Sequence, residues 1–210
     1  MQIHRETGLS YKSALFLMHR IRWAMTPPAG YGTEKLSGTV EIDEVYVGGK
    51  PTGKCKVGER RPSTKTPVVG MVERGGRVHA EPVSRVNAKE LRRVIQGNVC
   101  LSSRIMTDEL PTYKGLAPNF EGGHQSVKHS VGEYVRDDVY TNTIEGYFSI
   151  LQRALIGTYH SVSKHHLHRY VSETSFKYNT RKLDDGARTI LAIRGAEGKR
   201  LRYHEPVKAK

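Results

Sequence analysis

The chain has 210 residues, 37% of them hydrophobic, with 34 Lys and Arg against 21 Asp and Glu for a net charge of +13; that suits one domain with a small appendage and excludes a disordered chain. Apolar runs such as Ala14-Leu15-Phe16-Leu17-Met18 fall far short of the about 18 residues a membrane span needs. The first residues carry Glu6 and no apolar signal region, and two cysteines, Cys55 and Cys100, cannot build a disulfide framework or a four-cysteine zinc site. A soluble, cytoplasmic protein without a membrane partner is expected. The charge excess points to a polyanion, nucleic acid before others, and so to a nucleoid-associated location. It is uneven: residues 151–210 carry 13 basic and 5 acidic side chains.

In chain order, Ser10 is placed to cap a helix in which Ala14, Leu17, Met18, Ile21 and Met25 recur at helical spacing, and Pro27-Pro28-Ala29-Gly30 ends it. A turn feeding a basic helix is similar to the second half of a helix-turn-helix, so residues 1–30 are expected to be a partial one or a plain N-terminal helix. From Gly38 the pattern becomes extended, and 39–47 reads as a strand ending at Gly48-Gly49. A basic, Pro/Gly-rich loop follows over 50–67. Strands at 68–73 and 78–83 flank Arg74-Gly75-Gly76-Arg77, a hairpin signal. Asn87 caps a helix over 88–96, and 103–107 is a further short strand. The order β-β-β-α-β, followed by helices over 142–155 and 164–178, predicts an α/β fold. Residues beyond 188 are basic and form a tail or a small terminal helix. The expected division is 1–30, a domain over 36–182, and a basic tail over 183–210.

Three carboxylates stand out. Asp43 lies inside an otherwise apolar strand, where propensity and desolvation disfavour it, so something must compensate it. Asp108 ends a second strand beside Glu109, 65 residues on, and Glu145 follows on a helix after a further 37. Carboxylates from two strands and a helix suit a hard divalent cation; taken singly, each also reads as a surface carboxylate beside a Lys or Arg. Strand alternation is read as placing Glu41 and Glu44 on the face opposite Asp43.

Glu41-Ile42-Asp43-Glu44-Val45-Tyr46-Val47-Gly48-Gly49-Lys50, then Thr107-Asp108, then Tyr140-Thr141-Asn142-Thr143-Ile144-Glu145-Gly146-Tyr147-Phe148 resemble successive motifs of the ISXO-type insertion-sequence transposases. Leu155 to Lys164 and Arg169-Tyr170 through Asn179 are similar to that family's C-terminal signature. The resemblance covers most of the chain. It implies a ribonuclease H-like mixed sheet with a catalytic DDE domain, preceded by a short helical remnant of a helix-turn-helix in an N-terminally truncated chain. Asp43 and Asp108 match the first two acidic positions and Glu145 the third, with Asn142, three residues earlier on the same helical face, as its rival.

The resemblance further implies strand cleavage and strand transfer on double-stranded DNA, at the terminal inverted repeats of an element and at target DNA, by a homodimer on paired ends. Two Mg²⁺ ions, with Mn²⁺ able to substitute, would be held by Asp43, Asp108 and Glu145 (or Asn142). Lys50, Arg153, Lys164 and Arg169 would hold phosphates. Gln152 stands where the family often has Lys, with Arg153 beside it. His160, His165, His166 and His168 lack cysteine partners and ligand spacing, and are read as contacts to phosphate or to helix neighbours rather than a metal site. Gly48-Gly49-Lys50 lacks P-loop spacing. The alternatives are a truncated transposase that only binds DNA, and a ribonuclease H-like nuclease.

Overall fold

In the computed structural model, residues 2–26, 34–48, 65–113, 115, 117–127 and 135–199 are described. The helices in chain order are α1 (Gln2–Thr7), α2 (Tyr11–Ala24), α3 (Ala88–Asn98), α4 (Asn142–Arg153), α5 (Leu167–Asn179) and α6 (Asp185–Arg194). The strands are β1 (Thr39–Val47), β2 (Thr66–Glu73), β3 (Val78–Pro82), β4 (Arg104–Thr107) and β5 (His124–Ser126). They belong to two compact units, Glu34–Asn179 and a second made from both chain ends, Met1–Thr33 with Thr180–Lys210.

The larger unit is built on one five-stranded sheet in the order β3-β2-β1-β4-β5. β1 pairs antiparallel with β2, and β2 with β3. β4 and β5 join in parallel. The expected α/β fold with a mixed sheet is thus present. The β2–β3 turn closes through Gly75-Gly76, with Glu73 N–H donating to Arg77 O at 2.9 Å and Gly76 N–H to Glu73 O at 3.0 Å. All but the last residue of β2 is buried, as a near-continuous apolar strand must be when both sheet faces are covered. On one face Leu91, Val94 and Ile95 of α3 pack on Val40, Ile42, Val69, Met71 and Ile105. On the other, Ile144, Tyr147, Phe148 and Leu151 of α4, with Leu167 and Val171 of α5, cover Val68 and Val72. Asn87 Oδ1 caps α3 by accepting from Glu90 N–H at 2.9 Å.

Two expected helix boundaries shift. α4 stops at Arg153 and runs on as a π-helical turn, Ala154–Tyr159, ended by His160 at φ 57°. The segment Lys164–His166 is a 3₁₀ turn before α5 begins. β5 goes unnoticed in the sequence because His124-Gln125-Ser126 has no apolar alternation.

In the unit formed by the chain ends, Gly8-Leu9-Ser10 joins α1 to α2, and Ser10 Oγ caps α2 by accepting from Ser13 N–H at 3.2 Å. The stretch expected as a tail contains α6, capped by Asp184 Oδ1 on Ala187 N–H at 2.8 Å. A side chain at Gly195 would collide with the Ala24 carbonyl oxygen, so the end of α6 sits directly on the end of α2. Lys199 Nζ donates there to the carbonyls of Trp23 (3.2 Å) and Thr26. No described helix is long and apolar enough to cross a membrane.

Candidate active site

Parallel pairing fixes the first two carboxylates. β1 and β4 pair from Thr39 opposite Arg104 to Glu41 opposite Met106, and the same offset carried two residues on brings Asp43 level with Asp108. On the other side of β1, Asp43 pairs with Gly70 of β2. A Cβ at Gly70 would lie 2.8 Å from Ile144 Cδ1 and 2.8 Å from Phe148 Cζ. The missing side chain therefore lets α4 lie on the sheet immediately beside Asp43, and α4 carries Glu145 in its first turn.

The electrostatics follow from this convergence. Burial pushes the Asp43 carboxyl up to about 7, the Glu44 N–H that it accepts opposes the rise, and the charges of Glu44, Asp108 and Glu145 add to it. That N–H lies 2.8 Å from Asp43 Oδ1. Among the described residues, no basic side chain figures in the set of groups that shift the Asp43 carboxyl. Asp108 Oδ1 accepts from Leu110 N–H at 3.0 Å, which holds the turn after β4. Glu145 is exposed and its Oε1 accepts from Thr141 Oγ1 at 3.1 Å. Asn142, also exposed, opens α4. The donors are all hard oxygens, and a partly buried carboxylate ringed by like charge fits a divalent cation in kind. They are not drawn tight: among the described residues no three His, Cys, Asp or Glu side chains form a group that could hold a metal ion.

Glu44 does lie on the opposite face. Its Oε2 accepts from the buried Tyr113 hydroxyl at 2.6 Å. Burial raises its pKa, the Tyr113 hydrogen bond opposes this, and the charge of Asp108 adds to it. Glu41 corrects the sequence reading. It is two residues from Asp43, and a strand's period of two puts both on one face. Its side chain is fully buried and faces α4: Oε1 accepts from Arg74 Nε at 2.7 Å and Thr143 Oγ1 at 2.9 Å, Oε2 from the N–H groups of Thr143 at 2.8 Å and Ile144 at 3.2 Å. Arg74 and Glu41 were the site's unforeseen members; the one signal for them was a second acidic residue two places before Asp43.

The expected phosphate contacts are spread out. Arg153 closes α4 and Lys164 lies in the 3₁₀ turn, both exposed. Arg169 is half-buried in α5, with its Nε buried and lacking a hydrogen-bond partner among the described residues. Lys50 lies outside the described residues. Gln152 lines a groove of about 310 Å³ together with Tyr46, Lys65, Leu155 and His160. Burial, then the charges of Arg169 and His165, hold the His166 pKa below its ordinary value.

The model of the ISXO2-like transposase domain matches residues 35–179. A protein of Halobacterium salinarum, described as an uncharacterized protein in transposable element ISH50, is 29% identical over 183 residues, which cover 81% of this chain and 60% of that protein. The chain thus spans about three-fifths of that relative's length. Among solved structures, the Mos1 transposase paired-end complex with left transposon end is similar at 13% identity and a TM-score of 0.28, over 77% of this chain and 56% of that one. The family match takes in all five strands, Asp43, Asp108 and Glu145, and the chain belongs to the ISXO2-like transposase domain family.

Proposed function

We propose that this chain is a DNA transposase that cleaves and joins strands at the ends of an insertion sequence, with Mg²⁺ (or Mn²⁺) held by Asp43, Asp108 and Glu145. The observation that carries this reading is Asp43 itself: a carboxylate on the sheet, half-buried, with three further carboxylates around it and its pKa driven up to about 7. A structural carboxylate is stabilised by donors or cations, as Glu41 is. Asp43 leaves that role open for a cation from solution.

A bound divalent ion supplies Lewis-acid polarisation of a phosphoryl oxygen and a more acidic water. The protein's part is positioning. β1 and β4 present Asp43 and Asp108 side by side, and α4 brings Glu145 over the Gly70 gap. Asn142 offers a neutral carbonyl oxygen and orients the bound strand. In the absence of a cation, Asp43 holds a proton near neutral pH and so limits the repulsion that several carboxylates would exert on a phosphate. Lys50, Arg153, Lys164 and Arg169 neutralise phosphates of the terminal inverted repeats and of target DNA. A homodimer would bring two element ends together.

The test is a nicking and joining assay on a terminal-repeat duplex with Mg²⁺, using Asp43→Asn and Asp108→Asn. Metal-dependent nicking and joining by the wild type, lost in both variants with DNA affinity kept or raised, supports the reading. Nicking without joining favours a nuclease instead. Binding without either reaction favours a DNA-binding relic, the second reading, which Gln152 at the expected Lys position and the open spacing of the carboxylates support.

A further inference from the structure

The reading of Asp43, Asp108 and Glu145 as the metal-holding set leaves Glu41 without a task, although a fully buried carboxylate is costly to keep. Its contacts supply one. The first amides of a helix need acceptors, and Thr141, at the N-cap of α4, makes no side-chain cap bond. Its hydroxyl turns to Glu145 instead. The cap comes from β1: Glu41 Oε2 takes the N–H groups of Thr143 and Ile144, at 2.8 and 3.2 Å, across a separation of about 100 residues. A carboxylate there also meets the positive end of the helix dipole.

Arg74, at the start of the β2–β3 turn, completes the arrangement. Its Nε donates to Glu41 Oε1, its Nη1 to the Asp138 carbonyl at 2.6 Å and its Nη2 to the Tyr140 carbonyl at 3.0 Å. The guanidinium sits 3.6 Å from the centre of the Tyr140 ring. One carboxylate and one guanidinium thus tie together β1, the hairpin, the lead-in to α4 and its first turn. Each Glu41 oxygen already accepts two hydrogen bonds, so neither is placed to take a metal ion.

We infer that Glu41 and Arg74 are positioning residues: they fix the first turn of α4 against β1 and so set the reach of Glu145 toward Asp43, without touching metal or DNA. Asp43 lies two residues beyond Glu41 on one strand face, and Glu145 two residues beyond Thr143 in one helical turn. Glu145 shares that first turn and its charge acts on Asp43, so the turn that Glu41 anchors is also the one that carries Glu145. This inference rests on the reading of those two as metal-holding residues.

The test is Glu41→Gln in the full chain, followed by amide hydrogen exchange and by cleavage of the terminal-repeat duplex over a range of Mg²⁺. Exchange at Thr143 and Ile144 should speed up about tenfold or more, while β1 and β2 keep their protection. The Mg²⁺ concentration for half-maximal cleavage should rise about 10–100-fold, the range found when groups that orient metal ligands are removed. Cleavage should recover at saturating metal with an unchanged pH profile. Arg74→Lys keeps the charge but loses the fork; it should move both readouts the same way by less, and it serves alone if Glu41→Gln does not fold.

Unchanged exchange at both amides overturns the inference. So does a loosened first turn with the wild-type metal dependence. Loss of cleavage at every metal concentration with a protected first turn would make Glu41 a ligand and overturn it equally. If the wild type shows no metal-dependent cleavage, the transposase reading falls, and the exchange at Thr143 and Ile144 then decides the positioning role by itself.

Discussion

Two stretches of the same strand face, one at Glu41 and one at Asp43, put a carboxylate in opposite situations. Glu41 is fully buried yet supplied with a guanidinium, a hydroxyl and two helix amides. Asp43, two residues on and less buried, has one backbone N–H and the charges of Glu44, Asp108 and Glu145 around it. Burial alone does not distinguish the two. The deeper group is the satisfied one, and the shallower one carries the unbalanced charge. On the proposed reading, the buried floor at Glu41 is completed by the protein's own donors, and the mouth at Asp43 is left for a cation.

That contrast can be broken or sharpened by substitution. The largest effect is expected at the mouth. Glu145→Gln should lower Mg²⁺-dependent cleavage by several orders of magnitude, since it removes a charge that balances the ion. Asn142→Ala should lower it less, and Mn²⁺, more tolerant of geometry and softer ligands, should rescue the Asn142 variant better than the Glu145 one. Normal cleavage by Glu145→Gln beside a dead Asn142→Ala would reverse the assignment of the third ligand.

At the floor the expected loss is one of stability. Glu41→Ala leaves the Arg74 charge and two helix amides unmatched, and breaking a buried pair from one side costs about 3–5 kcal/mol. Urea denaturation measures it; a cost under about 1 kcal/mol would class the pair with exposed ones and erase the contrast. Gly70→Ala should cost about 1–3 kcal/mol by forcing Ile144 and Phe148 outward, and cleavage should fall with it as α4 lifts from Asp43.

The smallest effect is a pH dependence of opposite sign to that of a paired carboxylate. The folded state holds the Asp43 proton to about 7 while the ordinary value is 3.8, so the folded chain binds that proton more tightly than the unfolded one. Stability is then lost as pH rises from about 4 through about 7. Without divalent metal, Asp43→Asn should be more stable than the wild type at pH 8 by ~1–3 kcal/mol, at about 1.4 kcal/mol per pKa unit before solvent relaxation, and no more stable at pH 4. Thermal melts at the two pH values check it; an equal gain at both would assign it to packing rather than to charge.

The strands and helices that carry the site were legible in the sequence because their signals are local. β1 runs from Thr39 to Val47 as its β-branched pattern predicts, Asn87 caps α3, and α4 begins at Asn142. β5 was not legible, since its three polar residues show no apolar alternation and its place in the sheet comes from pairing with the distant β4. Nor was α1, six residues without a buried side chain. The role of Glu41 was hidden for another reason: its partners Arg74, Thr143 and Ile144 are 33, 102 and 103 residues away, and no local pattern encodes such a contact. Gly70 likewise reads as a weak point in a strand until the helix that rests on it is known.

The central claim, that Asp43 is the carboxylate kept open for a cation, is tested most directly by titrating the free chain with Mn²⁺ in a calorimeter, in buffers of different ionisation enthalpy, at pH 6.5 and pH 8. A metal that displaces the Asp43 proton should release most of one proton at pH 6.5 and little at pH 8, and Asp43→Asn should lose both the release and the tight binding. Equal Mn²⁺ affinity and equal proton release in wild type and Asp43→Asn would contradict it.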